Sequence, residues 1–118
     1  MNNVRPFVIK RNDTLPSLSI KVLARGEFNQ VIPFDLSQVT GCTFSMSDNF
    51  GNLKISDSPA QITSASGGTI QYDWNAQDTD TEGEYRGEFE LLFGSGQKMT
   101  VPTPGFINIH IVSDINGS

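Results

Sequence analysis

The chain has 118 residues, a length that suits one domain built around one core. Its net charge of −5, with no cluster of Lys and Arg to displace counterions, argues against nucleic acid as a partner. The single cysteine, Cys42, excludes an intrachain disulfide, and no apolar run approaches the ~18 residues of a membrane span, so a membrane partner is not expected either.

The chain reads as one domain over 1–118, with short flexible ends near 1–4 and 114–118. Charges at Arg5, Lys10 and Arg11 break up the start, so no signal peptide is expected there. "RPFVIK" is a first strand, with Pro6 at its beginning, where a missing N–H is tolerated. "NDTLP" is turn chemistry, and "SLSIKVL" alternates Leu18, Ile20 and Val22 against Ser19 and Lys21, the period of a half-buried strand. "ARGEFNQVIPFDL" is a loop or hairpin around Gly26. A strand is expected from about Gly41 to Ser47, with Cys42, Phe44 and Met46 on one parity. The "DNFGN" turn then hands the chain to a return strand at "LKI".

"AQIT" and "TIQYDW" are two further strands around the Gly67–Gly68 turn, the second placing Ile70, Tyr72 and Trp74 on one face. "EYRGEFELLF" is the clearest strand: Tyr85, Gly87, Phe89 and Leu91 face one way, and Glu84, Arg86, Glu88 and Glu90 the other. "GSGQK" turns it into "KMTV", and "PTPG" leads to a last strand, "FINIHIV". No segment carries a 3.6-residue apolar period over ten residues, so at most one helical turn is expected, near Ser37–Gln38 or Ala76–Thr79. The sum is an all-β chain, a single antiparallel β-sandwich of about seven to nine strands.

"DTDTEGEY" is the stretch closest to a binding motif. Asp78, Asp80 and Glu82 take positions 1, 3 and 5 of a calcium loop, with Gly83 at the sharp turn, but position 12 is Phe89 and neither flank is helical. The residues fit a strand-entry turn better. Asp78 and Asp80 bond nearby N–H groups, Gly83 permits positive φ, and Tyr85 opens the strand as a tyrosine corner, its hydroxyl reaching back to the turn. No metal or cofactor is expected.

Other constellations are weaker. Glu88 and Glu90 continue a solvated polar row and have no apolar pocket to raise a pKa. His110 is a lone surface histidine, and Cys42 a small buried hydrophobe with no histidine near it in sequence. No catalytic set emerges, and the chain is not expected to be an enzyme.

The run "ITSASGGTIQYDW", "DTDTEGEYRGEFELLF", "GSGQKMTVPTPGFINIHI" resembles the immunoglobulin-like module at the N-terminus of phage baseplate upper proteins and in many small tailed-phage virion proteins. The matching positions are Tyr72 and Trp74, then Asp78, Asp80, Gly83 and Tyr85, then Glu88, Phe89 and Glu90, and finally Gly96, Pro104, Gly105 and Ile107. The match is strongest over residues 60–111. In the front half "FDLSQVTGCTFSMSD" carries an extra residue or two.

The resemblance implies an immunoglobulin-like sandwich acting as a non-enzymatic virion component: a tail, baseplate or neck adaptor docking portal, tail, fibre or capsid proteins. Such a part would be present in multiple copies in a symmetric assembly and built in the host bacterial cytoplasm. The alternatives are a capsid decoration protein, or a carbohydrate-binding or adhesion module. The apolar parity of Trp74 counts against the last. For an assembly module, Phe28 in "GEFNQ" and Phe50 in "DNFGN" are the candidate interface residues, being large apolar side chains among polar turn formers.

Overall fold

The computed structural model describes residues 5–102 and 105–115; the expected flexible end at 1–4, the last part of the end at 114–118, and Pro104 lie outside the described residues. Eleven strands are formed among them: β1 Phe7–Lys10, β2 Leu18–Lys21, β3 Leu23–Arg25, β4 Val31–Pro33, β5 Val39–Asp48, β6 Leu53–Pro59, β7 Gln61–Ser64, β8 Thr69–Tyr72, β9 Gly83–Phe93, β10 Lys98–Val101 and β11 Ile107–Val112. A 3-10 turn at Ala76–Thr79 links β8 to β9, while Ser37–Gln38 is a plain turn. No helix among the described residues is long and apolar enough to cross a membrane.

The larger sheet has the order β1-β11-β9-β5-β6, a second sheet runs β2-β8-β7, and β3 and β4 form a separate two-stranded ribbon. β9 organises the larger sheet. Along one edge it pairs with β5 from Asp48 opposite Tyr85 to Val39 opposite Phe93. Its other edge is shared: β11 takes Gly83–Gly87 and β10 takes Phe89–Leu92. Strict alternation along β9 buries Tyr85, Gly87, Phe89 and Leu91 and turns Glu84 and Arg86 to solvent.

Those inward residues meet the smaller sheet in one core. Phe44 of β5 stacks on Tyr72 of β8 at 4.7 Å between ring centroids and tilts against Phe89 at 4.9 Å. Trp74 closes the cluster, edge-on to both Phe44 and Tyr72, and Ile70, Ile109 and Ile111 complete it. Packing of this kind, at near-zero exposure, stabilises by about 1.5–3 kcal/mol for each large side chain.

Two expectations need correction. Among the described residues there are eleven strands, not seven to nine, because "SLSIKVL" divides at Val22 and Leu23–Arg25 forms a hairpin with Val31–Pro33. The Val22 N–H donates to the Gly68 carbonyl and its own carbonyl accepts from Phe34, so the chain leaves the smaller sheet there and enters the ribbon. The sheets are also not wholly antiparallel: β1 runs parallel to β11, Phe7 opposite Ile109 and Ile9 opposite Ile111. That pairing joins the two ends of the described chain, so no hairpin dictates its direction.

Candidate functional site

The acidic turn is a structural corner whose carboxylates are engaged by protein donors. The Tyr72 hydroxyl donates to Asp78 Oδ2 at 2.6 Å, and the Asn75 N–H donates to the same oxygen at 2.9 Å. Asp80 pairs with the Lys54 ammonium and accepts from Thr81 Oγ1, and the Lys54 bond holds its carboxyl below the usual range. Gly83 sits at φ +150°, outside what side-chain-bearing residues readily adopt. The buried Tyr85 sends its hydroxyl back to the Thr81 carbonyl at 2.8 Å. Asp78, Asp80, Gly83 and Tyr85 are thus brought into one corner that fixes the entry of β9.

Thr79, which sequence reasoning passed over, is fully buried in that corner and donates to the Asp13 carbonyl at 2.9 Å. A threonine between two aspartates looks like solvent-facing turn chemistry, and nothing local distinguishes it.

The remaining chemical candidates are dispersed. Glu88 and Glu90 lie half-buried on the outer face of the larger sheet, Glu90 with Lys98 at 3.6 Å. His110 is half-buried, opposite Glu84 in register. Burial pushes the Cys42 thiol up to about 11, so it stays protonated at neutral pH. Trp74 is only 4% exposed and stacks on Phe7, so its ring is not a surface platform for a sugar. Comparison of the chain with protein-family models, with curated proteins and with solved structures finds no match.

What the fold does present is apolar side chains on hairpin tips and on one sheet face. Phe50, 90% exposed, tops the β5–β6 turn. That turn is held by Asp48, whose Oδ1 accepts from the N–H groups of Phe50 (2.8 Å) and Asn52 (2.9 Å). The bonds from Asn52, backbone first and side chain second, lower the Asp48 pKa. Beside the turn, Arg86 Nε donates to Asn49 Oδ1 at 3.3 Å while its guanidinium lies 5.0 Å over the Phe106 ring. Leu53, also exposed, is opposite Ser47, which is in turn opposite Arg86. Leu53, Arg86 and Phe106 were not singled out from sequence, because only the register places them together.

Phe28, 86% exposed, tops the β3–β4 ribbon, with its N–H on Gln30 Oε1 at 2.8 Å. Exposed Leu23 and Val31 lie below it on the ribbon. The two phenylalanines are not brought together. The Phe50 turn follows Asp48, opposite Tyr85 at the start of β9, whereas the ribbon joins the body through Phe34, which packs on Phe93 at the end of β9.

Proposed function

We propose that the chain is an immunoglobulin-like β-sandwich acting as a non-enzymatic structural component of a tailed-phage virion, a tail, baseplate or neck adaptor that docks other virion proteins through its outer surface. The strand order supports the fold part of this proposal. The neighbours β11-β9-β5-β6 correspond to strands G, F, C and C′ of a variable-type domain, and β2-β8-β7 to B, E and D. Tyr85 then stands at the start of strand F with its hydroxyl turned back to the preceding corner.

Two residues after that tyrosine, where such domains in antibodies carry the second half-cystine, this chain has Gly87. The Phe44 ring, from the strand that carries the core tryptophan in those domains, fills the space over it. The glycine leaves room for the Phe44 ring, whose stack on Tyr72 of the smaller sheet would hold the two sheets together without a disulfide.

The observation that carries the docking role is the Phe50 turn: a large apolar side chain almost wholly in solvent, held on a hydrogen-bonded turn, next to Arg86, Phe106 and Leu53. Aromatic side chains and arginine are the residues in which binding energy concentrates at protein interfaces. Fold does not carry function by itself, and the virion assignment rests on the family resemblance together with this surface. The test is Phe50→Ser: circular dichroism unchanged in the isolated domain, recovery in assembled virions reduced, with a loss of about 2 kcal/mol or more of binding. Normal incorporation of both the Phe28→Ser and Phe50→Ser proteins would overturn the docking role.

A further inference from the structure

A second apolar feature adjoins that surface and shares Phe106 with it. Where the edge strand β1 of the larger sheet faces the edge strand β2 of the smaller one, the two sheets part into an open groove of about 710 Å³. Phe7, Leu18, Ile20 and Phe106 line it, and among the described residues the charged ones on its walls are Arg5 and Lys21. Both cations are exposed and make no hydrogen bond or ion pair with the described residues. On an acidic chain this is a place where two cations, without an ion-pair partner among the described residues, border apolar surface.

The ribbon tip carries the converse. Phe28 stands 86% exposed beside Glu27, an exposed carboxylate with no ion pair among the described residues. The ribbon departs from the smaller sheet at Val22, and Phe28 does not line its own chain's groove. A groove of this volume holds a phenylalanine side chain with room to spare, and Arg5 and Lys21 are placed to receive the adjoining carboxylate.

We propose that copies of this chain associate head to tail, the Glu27–Phe28 tip of one entering the β1–β2 groove of the next. The contact is heterologous, because tip and groove are different surfaces, so it generates a ring if the rotation closes and a filament if it does not. It is a small contact, of the weak class that is populated at high local concentration. The proposal rests on the reading of the chain as an assembly module and names one partner of that module, a second copy of itself.

The experiment is sedimentation velocity on the full chain from micromolar to about 1 mM. Wild type is expected to show a mass average that rises with concentration, and Phe28→Ser to weaken that rise about tenfold or more. Charge reversal supplies the specific arm. Glu27→Lys alone and Arg5→Glu/Lys21→Glu alone are each expected to stay monomeric, since tip and groove then carry like charge. Mixing the two restores association, because every tip again meets a groove of opposite sign. All the altered residues are exposed, and circular dichroism verifies that each variant folds. A wild type that stays monomeric throughout overturns the proposal, as do association indifferent to Phe28→Ser and two folded charge variants that fail to associate when mixed. None of these outcomes touches virion incorporation of Phe50→Ser, so failure here is distinct from failure of the docking role.

Discussion

The ring of Phe44 lies so close over Gly87 that a β-carbon built there would meet the ring Cζ at 2.8 Å and Ile109 Cδ1 at 2.7 Å. Both neighbours are fully buried, and the ring is wedged between Tyr72, Trp74 and Phe89, so it has no direction in which to withdraw. Gly87→Ala is therefore expected to destabilise by about 1–3 kcal/mol, the usual cost of overpacking. Denaturant unfolding reads this as a lower midpoint at unchanged slope. Phe44→Leu should cost less in the Gly87→Ala background than in wild type, since it removes the clash; simple additivity of the two changes would show that the ring and residue 87 do not compete.

Tyr85 contributes through both its ring and its hydroxyl. Tyr85→Phe removes the bond to the Thr81 carbonyl and is expected to cost about 0.5–1.5 kcal/mol. Tyr85→Ala also empties a buried site between the sheets and is expected to cost about 3–5 kcal/mol. Thermal unfolding of the two variants separates these contributions, and a Tyr85→Ala protein that melts like wild type would remove the corner from the account of stability.

Sequence alone was informative wherever the cause was local. The inward set of β9, the apolar face of β8 and the backward reach of Tyr85 all follow from a two-residue period and a turn, and all appear in the structure. Pairings that join distant segments were not legible in this way. The parallel register of β1 with β11 brings Phe7 to Ile109 across nearly the whole chain, and no turn composition encodes it. The Arg86–Phe106 contact depends on another pairing of separated segments, β11 with β9, which sets Asn108 opposite Arg86. Phe28 and Phe50 were legible as anomalies, apolar residues in polar turns, but their exposure depends on whether each tip folds back onto the body, and neither does.

Acid should weaken the fold. Asp48 (through Asn52), Asp73 (through Ser17, then Gln71) and Asp80 (through Lys54) are all held below the ordinary carboxylate range. A depressed folded-state pKa means that the unfolded chain binds protons first, so this stability is present above about pH 4 and lost as pH falls through the folded values. Urea midpoints measured from pH 6 down to about pH 2 should decline, most steeply below pH 4, and Asp73→Asn should flatten part of the decline. Midpoints that hold level or rise below pH 4 would contradict these assignments.

Chelation should leave the fold alone. Asp78 is occupied by Tyr72 and Asn75, and Asp80 by Lys54 and Thr81, so the acidic turn is already satisfied within the protein. Melting temperatures with and without millimolar EDTA are expected to coincide. A fall of several degrees that calcium restores would instead make the turn an ion site.

Alkali offers a direct view of the corner, because Tyr72 and Tyr85 are the only tyrosines in the chain and phenolate absorbance reports them alone. Burial pushes the Tyr72 phenol up to about 12, with the hydrogen bond to Asp78 adding to the shift, and burial raises Tyr85 as well. In the unfolded chain both ionise near 10. Between about pH 10 and pH 12 the folded protein therefore holds protons that the unfolded chain has released, so stability is complete below pH 10 and declines as pH rises toward 12. A spectrophotometric titration of the native protein should show little phenolate at pH 10, where the same chain in denaturant is half ionised. Tyr72→Phe should leave a single native titration, from Tyr85, still above the ordinary value. About a quarter of the full phenolate signal already present at pH 10 in the folded protein would mean that one of the two hydroxyls is free in water, and the corner would lose one of its two ties.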